Sequence, residues 1–161
     1  MIDGVIKLLR DMAEFNYIEF TRLMSPLEVI VTKRGSCHDQ VMLEFEELRE
    51  MCLNPDAKFI MAVDSNDQGM ETHSFVYFTL DRSWYWFENA WEDQRGLHQY
   101  PSEDELILDV MDKFLCRAFS ADTRPAKVYI SEFAPREHTI GEDLPDLVNI
   151  CMAHAVEFPI D

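Results

Sequence analysis

Basic residues are scarce in this chain. Fourteen lysines and arginines stand against 31 aspartates and glutamates, a formal net charge of −17. A surface that negative repels phosphate backbones and anionic lipid heads, which argues against nucleic-acid and membrane partners. It leaves room for a basic protein partner or a cationic substrate. Paired cysteines are missing as well. Cys37, Cys52, Cys116 and Cys151 are widely scattered and form no CxxC, so neither a zinc site nor a disulfide framework is indicated. No apolar run approaches the roughly 18 residues that a membrane span needs. The first residues lack the basic region of a signal peptide, and Lys7, Arg10, Asp11 and Glu14 interrupt the stretch that follows. Reduced thiols in a cytoplasmic setting are therefore expected. With no repeat, low-complexity tract or long linker, residues 1–161 are expected to form one domain.

What is present is a globular composition, 47% hydrophobic and 12% aromatic. Apolar spacing predicts a helix over residues 3–24, a short one from Pro26 to Val31, and another from Cys37 to Cys52. Lys33-Arg34-Gly35-Ser36 reads as a turn. Strands are expected at Lys58–Val63, Thr72–Leu80, Trp84–Trp91 and Lys127–Phe133, rich in aromatic or β-branched residues. Ser102, with Glu105 three positions on, predicts a capped helix to about Arg117. A last helix is expected from Glu142 to about Ala155. Residues 65–71 and 94–100 read as loops. Helices before and after a small antiparallel sheet make an α+β domain.

Three residues carry the chemistry. Cys37 stands at the predicted start of a helix, where free backbone N–H groups and the helix dipole favour a thiolate. His73 and Glu88 lie on consecutive predicted strands. If Phe78 faces Ser83 across the hairpin, His73 stands opposite Glu88, close enough for the carboxylate to take one imidazole nitrogen. Asn89 would point to the other face and is the reserve third member. His38 adjoins Cys37, but helix neighbours do not face each other, so it is a poor base. His98, His138 and His154 show no comparable partners. Cys52, Cys116 and Cys151 lie in helical, apolar surroundings that would leave them inert. A lone thiol or a lone strand histidine is more often a core residue. The ordered combination is what points to nucleophilic catalysis.

Three stretches then carry a resemblance. Gly35-Ser36-Cys37-His38-Asp39-Gln40 running into Val41-Met42-Leu43, Thr72-His73-Ser74-Phe75-Val76-Tyr77-Phe78 and Trp84-Tyr85-Trp86-Phe87-Glu88-Asn89-Ala90-Trp91 together resemble the transglutaminase-like superfamily of papain-related thiol enzymes. Ser25-Pro26-Leu27-Glu28 resembles the segment that leads to the cysteine in such proteins. The resemblance implies a papain/transglutaminase-like fold and a Cys37-His73-Glu88 triad acting on a peptide, protein or small amide substrate. It implies the Cys37 backbone N–H as an oxyanion donor, and no cofactor or metal is called for. Glu88 departs from the family's usual Asp. The chain also has no evident calcium cluster, so peptidase or deamidase chemistry fits better than calcium-dependent crosslinking. Two other readings stand beside it: a catalytically silent binding module on the same fold, and an acidic protein that masks a basic partner.

Overall fold

A computed structural model describes residues 1–65, 69–119 and 123–160. Residues 66–68, within the expected loop after Ser65, lie outside it. Among the described residues five α-helices accompany a six-stranded antiparallel sheet, so the α+β expectation holds. The helices are α1 (Ile2–Met12), α2 (Pro26–Thr32), α3 (Cys37–Glu50), α4 (Glu103–Ala118) and α5 (Leu144–Met152). Two short strands, β1 (Asn16–Tyr17) and β2 (Arg34–Gly35), pair in parallel apart from the main sheet. That sheet runs β6 (Gly96–Tyr100), β5 (Ser83–Glu88), β4 (Met70–Leu80), β3 (Asp56–Asp64), β7 (Pro125–Glu132), β8 (Val156–Phe158).

The sheet is buried on both faces. Central β3 alternates accordingly: Phe59 and Met61 join the core formed with α1, α2, α3 and α5, while Ile60 and Ala62 join the core under α4. The same alternation on β4 sends Val76 and Phe78 one way and Phe75 and Tyr77 the other. No helix among the described residues is long and apolar enough to cross a membrane.

Several expectations are corrected. The first helix ends at Met12 rather than near residue 24. The backbone beyond it is used instead by Asn16 and Tyr17, which pair with Arg34 and Gly35. The expected turn at residues 33–36 therefore contains β2. Residues 96–100 form an edge strand, not a loop. The hairpin register also differs. Leu80 pairs with Ser83 and Val76 with Phe87, so the turn has only two residues, Asp81 and Arg82, both at positive φ (50° and 68°). That is the backbone demanded by a type I′ hairpin turn. The assumed register was wrong by two residues. Because strand side chains repeat every two, the slip leaves His73 and Glu88 on the same face.

Candidate active site

Helix α3 starts where its local chemistry directs. Ser36 caps α3, its hydroxyl accepting from the Asp39 N–H at 3.3 Å, while the Asp39 carboxylate accepts from the Ser36 N–H at 2.9 Å. The other Asp39 oxygen accepts from the Met24 N–H at 2.8 Å and ties the preceding segment to the same turn. Gly35 permits this closeness, since a Cβ there would stand 2.9 Å from that of Asp39. Cys37 is the first residue of the helix and is buried.

His73 comes from β4, and its ring is fixed on two sides. Nε2 lies 3.1 Å from Glu88 Oε2, and Trp91 stacks on the imidazole with centroids 3.8 Å apart. The second Glu88 oxygen accepts from the Trp91 N–H at 2.9 Å. One carboxylate thus orients both the imidazole and the residue stacked on it. His73 Nδ1 is buried and has no hydrogen-bond partner. An orphaned buried nitrogen is costly unless it has work to do. With Nε2–H donating to Glu88, Nδ1 holds the free lone pair.

Cys37 and His73 line the same cleft, a cavity of about 250 Å³, together with Tyr17, Glu71 and Trp91. The sheet explains how residues from opposite faces reach it. Pairing of β4 with β5 ends at Val76, so the edge of β4 at residues 72–74 is open. Ser74 has the same edge-pointing phase as Val76 and Phe78, and its N–H is among the groups that favour the Cys37 thiolate.

The electrostatics contradict one expectation. The N–H groups of Ser74 and His38 favour the thiolate, as a helix start should. Burial outweighs them, the Glu88 and Asp39 carboxylates add to it, and the thiol is pushed up to about 12. At rest, therefore, Cys37 is a protonated thiol. Tyr17, which the sequence did not single out, lines the cleft with Cys37, and burial, with the Cys37 sulfur close by, raises its phenol so that it stays neutral. Its strand pairing explains the placement, since Tyr17 stands opposite Gly35, two residues before the cysteine.

The remaining residues sort clearly. Asn89 turns away from His73 and donates to Gln40 Oε1 at 2.7 Å and to the Met12 carbonyl at 3.1 Å. Cys52 and Cys116 are exposed rather than buried in apolar stripes. His98 is satisfied by the Gln94 carbonyl at 2.7 Å and stacks on Trp86.

His138 is the larger surprise. It is buried, its Nδ1 paired with Glu142 Oε1 and its Nε2 3.8 Å from Cys151 Sγ. This is a second Cys-His-Glu set. The turn at Pro135–Glu137, the segment just before α5 and the last turn of α5 bring it together, which no local spacing announces. Phe133 covers its imidazole with centroids 4.5 Å apart, and the Glu142 carboxylate also accepts from the Thr139 N–H at 3.1 Å. Burial pushes the Cys151 thiol up to about 12. The Cys151 set braces the chain: Leu23 exchanges backbone hydrogen bonds with Glu142 and Gly141 at 2.8 and 2.7 Å. Among the described residues no three His, Cys, Asp or Glu side chains converge as metal ligands.

Set against known proteins, the chain matches no family model and no curated protein.

Proposed function

We propose that this protein is a cysteine-dependent acyl-transfer enzyme of transglutaminase-like or papain-like architecture, with Cys37 as nucleophile, His73 as base and Glu88 as orienting acid. The observation that carries the reading is the state of His73. One nitrogen is bound to Glu88, the ring is stacked on Trp91, the other nitrogen is buried without a partner, and the residue lines a cleft shared with Cys37.

In this reading the thiol attacks an amide or ester carbonyl while its proton passes to His73 Nδ1. The sulfur–carbon bond forms as the leaving amine or alcohol departs with that proton. Water, or an amine, then attacks the thioester with His73 again taking the proton, and the sulfur–carbon bond breaks to restore the thiol. Glu88 stabilises the imidazolium at both stages. Because the thiol is protonated at rest, the base must act during attack rather than hold a standing thiolate.

p-Nitrophenyl acetate tests the reading without knowledge of the natural substrate. Intact and peptide mass spectrometry should find an acetyl group on Cys37, absent from Cys37→Ala and strongly reduced in His73→Ala. Acetylation spread evenly over the four cysteines would defeat it. That outcome would favour the second reading, a silent binding module, which the buried and un-ionised thiol supports.

A further inference from the structure

His38 sits beside the nucleophile, yet neither of its nitrogens is free for proton transfer. Nδ1 shares a hydrogen bond with Ser74 Oγ at 2.7 Å, and Nε2 with Thr72 Oγ1 at 3.1 Å. The ring is buried among Phe20, Phe59 and Phe133. Burial pushes its pKa down to about 3, so it remains neutral. A neutral imidazole has one donor and one acceptor, and a hydroxyl can serve either.

The two hydroxyls flank His73 in sequence and lie on the face opposite to it. This is also the part of β4 that has lost β5. On one side Met61, Ile60 and Phe59 of β3 pair with Thr72, His73 and Ser74. On the other side the ladder is absent. Ser74 is held from the first turn of α3 by its hydroxyl's bond to His38.

We propose that His38 is a positioning residue, a two-point clamp that fixes Thr72 and Ser74 so that His73, between them on β4, keeps its place in the cleft it shares with Cys37. The proposal rests on the acyl-transfer reading. It assigns to the residue after the nucleophile a task that its neighbour's chemistry requires but that sequence adjacency alone does not suggest. Misplacing a reacting group by about 1 Å costs on the order of a hundredfold in rate.

The test compares the acetylation rate of Cys37 by p-nitrophenyl acetate in the wild type, His38→Leu, His38→Asn and His73→Ala. His38→Leu should be slower by roughly tenfold to a hundredfold. His38→Asn, which keeps a polar atom near the position of Nδ1 for Ser74, should recover most of that loss. A merely space-filling role would give no such recovery. Equal rates in His38→Leu and the wild type, or His38→Asn as slow as His38→Leu, would overturn the clamp. If His38→Leu does not fold, Ser74→Ala removes the same leg, and an unchanged rate there would overturn the clamp too. His73→Ala separates the two claims. Acetylation indifferent to His73 removes the acyl-transfer reading and the clamp together. Dependence on His73 with indifference to His38 removes the clamp alone.

Discussion

Glu88 holds His73 and Trp91 at once: one oxygen lies 3.1 Å from the imidazole Nε2 and the other accepts from the Trp91 N–H at 2.9 Å. The carboxylate therefore sets both the imidazole and the indole packed on it. Glu88→Gln keeps a similar shape and an oxygen acceptor but removes the negative charge that steadies an imidazolium. Acetylation of Cys37 should fall by about a hundredfold or more, with circular dichroism unchanged. A variant as fast as the wild type would mean that Glu88 is a buried structural acid.

Tyr17 lines the cleft with Cys37 from a two-residue strand. Its phenol is a donor to a thiolate as it forms, and Phe removes that donor. Tyr17→Phe should slow iodoacetamide modification of Cys37 at neutral pH by about fivefold, one hydrogen bond's worth. Faster modification would show instead that the phenol shields the thiol.

Glu44 lies on α3 and is buried, and burial, aided by the Glu88 charge, raises its carboxyl well above the usual carboxylate range near 4.5. The sign follows from linkage. Above pH 4.5 the unfolded chain has lost this proton while the folded chain keeps it. Folding must then take up a proton, and Glu44's contribution to stability falls as pH rises, by about 1.4 kcal/mol per unit until the folded-state value is passed. Glu44→Gln should therefore be more stable than the wild type at neutral pH, and the difference should shrink towards pH 4.5. Urea titrations at several pH values measure it. A variant less stable at neutral pH would contradict the assignment.

The β4–β5 hairpin turns through Asp81 and Arg82, both at positive φ. Replacing them by Asn-Gly should stabilise the protein by about 1 kcal/mol, because glycine and asparagine adopt that backbone with less strain. Thermal unfolding checks this. The turn is remote from Cys37, so its acetylation rate should not change. A loss of stability would argue against a type I′ turn.

The turn also explains what could be read from the residues beforehand. Asp-Arg is not the usual I′ pair and does not announce a two-residue turn, so a register with Phe78 facing Ser83 lies two residues from the one the structure has. The face is the same, because a slip of two preserves it. The start of α3 was legible because Gly35, Ser36 and Asp39 carry their own capping chemistry within five residues. The end of α1 was not, because Asn16 and Tyr17 leave the helix to pair with residues far along the chain. The edge strands at Gly96–Tyr100 and Val156–Phe158 are short and mixed in character, and neighbouring strands rather than local preference make them. The thiol's ionisation was misjudged for the same reason: a helix start is local, whereas the burial that outweighs it is tertiary. Cys151, His138 and Glu142 meet only in the folded chain.

The central claim, that His73 takes the proton of Cys37, is tested most directly by the pH dependence of Cys37 alkylation. Iodoacetamide modification of this residue, followed by peptide mass spectrometry in the wild type and in His73→Ala, separates base-assisted attack from simple ionisation of a thiol held near 12. The wild type should react at least about tenfold faster at neutral pH, the two curves converging as pH climbs towards the thiol's own range. Superimposable curves from pH 6 to 9 would contradict it.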